Sequence, residues 1–151
     1  MDFKKICEKE FKGKLIGRRK CLIDGFVLRK DPIIFNYKKY SQQYKTMSPK
    51  EFLSLVPKEP FKNLKLQKDI SKSILKKKPI NPAYLDVDVD TCQILAHEGR
   101  NRAIASILAG INKYPVILFN QEYVKDARGL FGEKGTYIYT ERKNKCKKFL
   151  K

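Results

Sequence analysis

The residues of this chain that are best suited to chemistry stand together in one short run. That run reads His97-Glu98-Gly99-Arg100-Asn101-Arg102. Arginine guanidinium groups carry planar, forked N–H donors that match phosphate oxygens. A glycine gives the backbone freedom for a sharp turn from strand to helix, and the unpaired N–H groups at a helix N-terminus attract anions. The sequence therefore predicts a phosphate-binding site formed by Gly99, Arg100, Asn101 and Arg102.

Two side chains beside this turn are candidates for catalysis. Glu98 can act as a general base or as a ligand of Mg²⁺, activating a water or a hydroxyl for phosphoryl transfer. The structural alternative for Glu98 is an ion pair with Arg100 or Arg102. His97, the one histidine of the chain, is either a catalytic group or a strand residue held by hydrogen bonds. These alternatives stay open at the level of the sequence.

An alternating segment upstream predicts a strand that leads toward the turn. In residues 84–90, one face carries Leu85, Val87 and Val89 and the other carries Asp86, Asp88 and Asp90. Successive side chains on one strand face lie about 6.6–6.8 Å apart, which is too far for three carboxylates to hold one ion. We therefore expect a buried apolar face and a solvated acidic face, with no metal site.

A second strand, a helix and a third strand follow in order. Residues 92–97 form the strand that reaches the turn, and the apolar spacing from Arg102 onward predicts a helix. Its predicted buried face comprises Ala103, Ile104, Ile107 and Leu108, with the small residues Ala105, Ser106 and Ala109 allowing close packing. Gly110 is predicted to end this helix in a left-handed conformation. The apolar run 116–119 is typical of a central strand.

The N-terminal part of the chain predicts a helix, a hairpin and a further strand. Residues 3–12 have amphipathic helical spacing, and Asp24-Gly25 between two apolar runs is a strong hairpin signal. Residues 33–35 begin another predicted strand. Three tyrosines that follow have either the spacing of a partly buried helix face or a role in stacking on bases: Tyr37, Tyr40 and Tyr44.

Two capped helices are predicted between residues 48 and 79, and one strand near the C-terminus. The first helix begins with a capping box of Ser48, Pro49 and Glu51. Asp69 is the predicted cap of the second helix, whose inward-facing residues are predicted to be Ile70, Ile74 and Leu75. Residues 136–140 read as the late strand.

Positive charge dominates the composition but avoids the predicted site. The 151 residues carry 34 Lys and Arg against 16 Asp and Glu, a formal net charge of +18. Residues 1–79 have a net charge of +14 and residues 125–151 of +6, whereas residues 80–124 have −2. The basic flanks are either a surface for DNA or RNA or a solvated lysine coat. In the tail, the candidate phosphate contacts are Arg142, Lys143, Lys145, Lys147 and Lys148.

The cysteines and the N-terminus indicate a cytoplasmic protein. The four cysteines, at positions 7, 21, 92 and 146, form no C-x-x-C pair. That pattern argues against zinc and for reduced thiols. Residues 1–5 lack the apolar core of a signal peptide, and no apolar run approaches the roughly 18 residues of a membrane span. We therefore expect no membrane partner and a cytoplasmic location, which is the host cell interior if the protein is viral.

Residues 83–119 resemble the ParB/sulfiredoxin superfamily, most closely the ParB-like domains of phages and mobile elements. The resemblance rests on the order strand, Gly-Arg-x-Arg-Ala turn, helix, Ala-Gly-Ile and Pro-Val strand, and the helix near Ser48 extends it over 48–119. The turn of that superfamily reads Gly-Glu-Arg-Arg in ParB and Gly-Cys-His-Arg in sulfiredoxin, so Gly99 and Arg102 match both. The resemblance implies that these two residues lie at nucleotide phosphates. Arg100 occupies the position of the sulfiredoxin cysteine, which argues against sulfinic-acid reduction.

The resemblance implies an α+β fold, a small mixed sheet with flanking short helices. We expect one domain over residues 1–151, with a core at about 48–119, a basic extension at 1–40 and a basic tail at 141–151. The implied ligand is a nucleotide, CTP or ATP, with or without Mg²⁺, and the implied partner is DNA or RNA. Three functions stay open. The first is binding of a nucleotide or polynucleotide phosphate. The second is Mg²⁺-dependent catalysis, as phosphoryl transfer, nucleotide hydrolysis or nuclease activity, and the third is a structural or interaction role with an inactive pocket.

Overall fold

Two β-sheets and several short helices make up an α+β fold. The structure, a computed structural model, describes residues 2–31, 35, 41–58, 62–88, 93–121 and 137–138. Its helices are α1 (Phe3–Lys5), which continues as a π-helical turn (Ile6–Glu10), α2 (Pro49–Ser54), α3 (Leu64–Leu75) and α4 (Arg100–Leu108). Its strands are β1 (Lys14–Ile16), β2 (Lys20–Ile23), β3 (Phe26–Arg29), β4 (Ser41–Met47), β5 (Ala83–Asp88), β6 (Gln93–Glu98), β7 (Tyr114–Gln121) and β8 (Tyr137–Ile138).

The larger sheet is mixed and has the strand order β4-β7-β5-β6-β8. Strand β7 is parallel to β5 and antiparallel to β4, and β6 is antiparallel to both of its neighbours. Residues Val116, Ile117 and Leu118 of β7 are fully buried. A strand that is covered on both faces reads as a continuous apolar run, so the predicted central strand is confirmed.

The smaller sheet is antiparallel, with the order β1-β2-β3. Its β2–β3 hairpin turns at Asp24 and Gly25, which both have positive φ angles, of 46° and 88°. Positive φ at both central residues is the requirement of a type I′ turn, whose twist matches that of the flanking strands. The hairpin predicted from Asp24-Gly25 is confirmed.

One aromatic cluster joins the two sheets and the helices into a common core. Tyr114 at the start of β7 is fully buried. The ring of Phe26 from β3 meets it edge-on at 5.9 Å, and the ring of Phe52 from α2 does so at 5.3 Å. Edge-to-face contacts of this kind contribute beyond the area they bury. The small sheet and α2 are therefore both anchored on the first residue of the central strand.

A disulfide bond links the N-terminal helix to the hairpin. Cys7 in the π-helical turn and Cys21 in β2 are bonded, with their Cα atoms 5.7 Å apart, and both are fully buried. The prediction of reduced thiols is therefore wrong for these two residues. Their 14-residue separation forms no recognisable motif, because the pairing depends on how the helix packs against the hairpin.

The acidic face predicted on β5 is not solvated. Asp86 is 6 % exposed and Asp88 is 2 % exposed. The prediction is wrong at both positions because β5 lies inside the sheet, between β6 and β7, and the fold covers both of its faces. Both carboxylates have interaction partners in the structure. Val89 and Asp90 lie outside the described residues.

Helix α4 buries only half of the face predicted for it, because Ala103 is buried and Ile104 is half-buried, but the other two residues are not. Ala103, Ala105 and Ser106 are fully buried, whereas Ile107 is 38 % exposed and Leu108 is 57 % exposed. Small residues allow close approach between packed elements, and α4 packs against both α2 and α3. The larger Ile107 and Leu108 are consequently turned outward. The helix also begins at Arg100, two residues earlier than predicted, while Gly110 has the predicted left-handed φ of 75°.

The predicted start of α2 is confirmed and that of α3 is wrong. The Ser48 hydroxyl accepts a hydrogen bond from the Glu51 N–H at 3.0 Å, as the capping box requires. Helix α3 begins six residues before Asp69 would place it, because the Asn63 side chain accepts a hydrogen bond from the Leu66 N–H and caps it. Of the three residues predicted to face inward, Ile74 is buried, Ile70 is half-buried and Leu75 is 61 % exposed.

Several predictions concern the edges of the described ranges. Tyr44 lies in strand β4 and not on a helix, so the helical interpretation of the tyrosines is wrong there. Phe35 has a helical conformation, with its N–H bonded to the Asp31 carbonyl, which contradicts a strand at that residue. Part of the predicted late strand is present as β8. Residues 32–34, 36–40 and 139–151 lie outside the described residues, and with them Tyr37, Tyr40 and the five basic residues of the tail.

No helix in the described ranges is long and apolar enough to cross a membrane. The longest of them, α3, has 12 residues.

Breaking the disulfide should destabilise the fold. Closing a loop of about 15 residues stabilises a protein by roughly 3 kcal/mol, chiefly by restricting the unfolded chain. We expect the Cys7→Ser/Cys21→Ser variant to lose about that much free energy of unfolding in urea, by the same principle. Adding a reductant should reproduce the loss in the wild type and leave the variant unchanged. A wild type equally stable with and without reductant would contradict the bond.

Candidate functional site

The turn between β6 and α4 is built around Gly99. Its φ angle is 120°, a conformation that residues with a side chain rarely adopt. A Cβ atom at this position would lie 2.7 Å from the Ala83 Cβ and 2.9 Å from the Tyr114 hydroxyl. Both the backbone angle and the lack of space therefore require glycine. The predicted role of Gly99 as a sharp strand-to-helix turn is confirmed.

The buried hydroxyl of Tyr114 holds this turn in place by a hydrogen bond. The Tyr114 hydroxyl donates a hydrogen bond to the Gly99 carbonyl at 2.8 Å, and the same carbonyl accepts the N–H of Ala103 at 2.9 Å. Burial raises the pKa of Tyr114 well above its ordinary value, opposed by the charge of Arg102 and reinforced by that of Glu98. The hydroxyl therefore stays protonated and acts as a permanent donor to the turn.

The N-terminus of α4 opens at the turn without a side-chain cap. Gly99 occupies the N-cap position and has no side chain to accept a hydrogen bond. The first i→i−4 bond of the helix is that from the Ala103 N–H to the Gly99 carbonyl. The N–H groups of the three preceding residues therefore lie ahead of the helical ladder, at the positive end of the helix dipole.

Arg102 is held rigidly at the edge of this turn. Its Nη1 atom donates to the backbone carbonyls of Asn81, at 3.1 Å, and Pro82, at 3.3 Å. Its Nη2 atom lies 3.2 Å from Glu98 Oε1. The Arg102 side chain is 16 % exposed, and that of Glu98 is 59 % exposed. The guanidinium is thus preorganised, whereas the carboxylate beside it is largely in solvent.

The other two residues of the predicted site connect the turn to neighbouring helices. Arg100 Nη1 donates to the Pro57 carbonyl, just beyond α2, at 2.7 Å. The Asn101 amide oxygen accepts a hydrogen bond from the Gln67 side chain of α3 at 2.9 Å. Gln67 is only 2 % exposed. Each polar residue after Gly99 therefore also has a structural partner, which limits how far the turn can move.

A pocket of about 330 Å³ opens at this turn. Its polar wall consists of the predicted run from His97 to Arg102, and its apolar wall is formed by Leu66 and Ile70 of α3. This volume is at the lower end of the range for small-molecule sites, roughly 300–1,000 Å³. The structure thus places all six residues that the sequence singled out on one cavity, which also has an apolar wall.

The two catalytic candidates have different surroundings. Glu98 forms the ion pair with Arg102 that the sequence offered as its structural alternative. An exposed pair of this kind contributes little stability, typically about 0–1 kcal/mol. His97 is half-buried, lies opposite the fully buried Leu85 of β5 and has an interaction partner. Among the described residues, no three His, Cys, Asp or Glu side chains come together as a potential metal site.

Sequence reasoning missed the parts of the site that come from distant elements. Leu66 and Ile70 stand at i and i+4, a spacing that signals one helix face, but nothing in the sequence tells which turn that face meets. The sequence identifies Tyr114 only as a residue at the start of a strand, and no local pattern signals the bond made by its hydroxyl. Both contributions depend on tertiary packing.

Comparison with known proteins adds no further identification. No protein-family model, no curated protein and no solved structure matches this chain.

Substituting Gly99 should damage both the fold and the pocket. We expect Gly99→Ala to lower the free energy of unfolding by about 1–3 kcal/mol, the typical cost of a forced backbone conformation. The Cβ contact with Ala83 adds to this cost.

Gly110→Ala at the other end of the same helix is the matched control. Its φ is 75°, but a Cβ there would meet nothing within 4 Å. Urea denaturation of both variants should show the larger loss for Gly99→Ala. Equal losses would mean that the lack of space around Gly99 does not constrain the turn.

Proposed function

We propose that the turn from Gly99 to Arg102 binds the phosphate of a nucleotide or of a polynucleotide. The observation that carries the proposal is the pocket itself. It brings an uncapped helix N-terminus and two arginines onto one wall. Each of these features favours an anion, and the resemblance to ParB-like domains points to the same ligand class.

The energies support a phosphate of moderate affinity. A hydrogen bond between a charged pair contributes roughly 1.5–3 kcal/mol, and the helix end adds about 0.3–1 kcal/mol for an anion. The bonds from Arg102 to the Asn81 and Pro82 carbonyls hold its guanidinium in place before any ligand arrives. Binding therefore needs little further ordering of this side chain, and preorganisation of that kind improves affinity.

The apolar wall favours a nucleotide over inorganic phosphate. Leu66 and Ile70 offer no side-chain hydrogen bonds, so they suit the sugar or the base of a ligand whose phosphate sits on the polar wall. Pockets for small molecules commonly combine an apolar lining with a few convergent polar groups. CTP and ATP are the ligands we propose to test first, each with and without Mg²⁺.

The enzymatic alternative rests on Glu98. Its carboxylate is 59 % exposed on the pocket wall, where it can reach a water or a hydroxyl beside a bound phosphate. Its pairing with Arg102 and the lack of a three-ligand metal group among the described residues favour binding over catalysis. A structural role with an inactive pocket is the third proposal, and it predicts no ligand for the pocket.

The proposed partner class is DNA or RNA, and the proposed location is the cytoplasm. The cytoplasmic location was inferred in part from reduced thiols, and the Cys7–Cys21 bond contradicts that part of the inference. Disulfides are rare in the reducing cytosol. The cytoplasmic location therefore stays a prediction.

Removing the Arg102 guanidinium should weaken nucleotide binding. A lost charge-assisted bond of about 1.5–3 kcal/mol corresponds to a roughly 10- to 150-fold increase in Kd. We expect that change for CTP or ATP in calorimetric titrations of Arg102→Ala. Arg18→Ala is the control, because Arg18 is exposed in the turn between β1 and β2 and does not line the pocket. Equal affinities of wild type and Arg102→Ala would sink the proposal.

Neutralising Glu98 separates binding from catalysis. In the binding account the carboxylate repels the phosphate and competes for Arg102, so Glu98→Gln should tighten nucleotide binding severalfold. In the enzymatic account the wild type releases phosphate from the nucleotide in the presence of Mg²⁺, and the same variant should not. Measuring affinity and turnover on this one variant therefore distinguishes the two roles of Glu98. Unchanged affinity and unchanged turnover would remove Glu98 from both roles.

A further inference from the structure

Helix α3 carries a straight line of positive charge on its outer face. Four lysines, spaced three, four and four residues apart, form what we name the lysine row: Lys65, Lys68, Lys72 and Lys76. Residues at these spacings lie on one side of a helix. All four are exposed, and they point away from the buried residues of the same helix, Gln67, Ser71 and Ile74.

The stability of the helix does not account for this arrangement. Lys65 and Lys68 lie in its first two turns, and its first turn has no acidic residue. Cations near a helix N-terminus oppose the dipole and are unfavourable. Between residues 62 and 78 there are seven lysines and one acidic residue, Asp69. Within the ranges the structure describes, no lysine of the row has a carboxylate in salt-bridge contact.

A second unfavourable charge contact lies on the hairpin next to the end of α3. Lys77 Nζ donates to the Gly25 carbonyl at 3.2 Å, and Arg29 donates to the Pro79 carbonyl at 3.4 Å, so the end of α3 runs along β3. There the exposed Lys20 and Arg29 are direct cross-strand partners. Like charges directly opposite each other destabilise a sheet. An anionic partner would relieve both this pair and the lysines at the start of α3.

The N-terminal end of the lysine row lies beside the phosphate pocket along the helix axis, on a different face of α3 from the pocket residues. Leu66 and Ile70, which line the pocket, belong to the same helical turns as Lys65 and Lys68. The two ends of the row are 11 residues apart, or about 16 Å of helix at 1.5 Å per residue. The pocket, the row and the Lys20–Arg29 pair therefore follow one another along α3 and onto β3, as a path that turns by roughly 100° around the helix between Leu66 and Lys65.

We infer that this path binds the backbone of a single-stranded polynucleotide, with one of its nucleotides in the pocket. The inference rests on the proposed function, because the pocket supplies the end point of the path. The apolar wall of Leu66 and Ile70 can contact a sugar or base that is not paired, which favours a single strand over a duplex. A membrane surface fits less well, since a helix that lies on lipid presents a continuous apolar face. The exposed apolar residues of α3 outside the pocket, Leu64 and Leu75, stand at its two ends.

The test is the salt dependence of oligonucleotide binding. We would titrate a fluorescein-labelled 20-nucleotide single strand over a range of salt concentrations, using the wild type and Lys65→Gln/Lys68→Gln/Lys72→Gln. For a single strand, the slope of log K against log salt becomes shallower by about 0.7 for each phosphate contact that is removed. Three contacts therefore predict a slope shallower by roughly 2 units, by the same relation.

The matched control removes the same charge elsewhere. Lys4→Gln/Lys5→Gln/Lys9→Gln alters three exposed lysines of the N-terminal helix, which packs through Phe11 against Tyr44 on β4, the edge strand far from β6. We expect this variant to keep the wild-type slope. Equal loss in both variants would overturn the lysine row as a specific surface, as would unchanged binding in both.

Further measurements distinguish the row from the pocket and from other partners. The row variant should still bind a mononucleotide normally, whereas Arg102→Ala should not, so a failure of one proposal is visible apart from the other. Lys65→Arg/Lys68→Arg/Lys72→Arg should bind the oligonucleotide like the wild type. Tighter binding to a duplex of the same sequence, or row-dependent binding to phosphatidylserine vesicles without oligonucleotide binding, would overturn the inference.

Discussion

The hydrogen bond from the Tyr114 hydroxyl to the Gly99 carbonyl joins the hydrophobic core to the candidate site. Tyr114 begins the central strand and packs against Phe26 of the small sheet and Phe52 of α2. Its hydroxyl is kept protonated by burial and donates the hydrogen bond that holds the turn from which α4 begins. Because a Cβ on Gly99 would meet both Tyr114 and Ala83, the core leaves room only for glycine at this turn. The orientation of the helix N-terminus toward the pocket follows from that contact.

Some local signals in the sequence predicted local structure correctly, although the Asp69 cap did not, and non-local structure was predicted poorly. The Ser48 helix cap, the Asp24-Gly25 hairpin and the turn at Gly99 depend on residues close together in the chain, and each is confirmed. The burial of Asp86 depends on which strands lie on either side of β5, and the exposure of Leu108 on which neighbours α4 packs against. The spacing of apolar residues along the chain predicts neither the burial of Asp86 nor the exposure of Leu108. For the site, the sequence supplied the polar wall, and the apolar wall from α3 required the fold.

The distribution of charge takes on a different meaning in the folded chain. The sequence places most of its positive charge in flanks that surround a slightly acidic centre. In the structure, part of the N-terminal flank returns to that centre, because α3 packs directly against α4 and lines the pocket. The basic flank and the candidate phosphate site are therefore neighbours on one surface. The Cys7–Cys21 bond, in turn, fixes the N-terminal helix to the hairpin whose outer edge belongs to that surface.

The proposed function requires that the backbone N–H groups at the start of α4 contact a phosphate. Amide and methyl chemical shifts of ¹⁵N,¹³C-labelled protein, followed during titration with CTP, ATP and pyrophosphate, measure that contact residue by residue. We predict the largest shifts at Gly99, Arg100, Asn101 and Arg102, with the methyl groups of Leu66 and Ile70 responding to the nucleotides but not to pyrophosphate. Shifts that are confined to the lysine-rich surfaces, with the amides of the turn unmoved at saturation, would contradict the proposed contact.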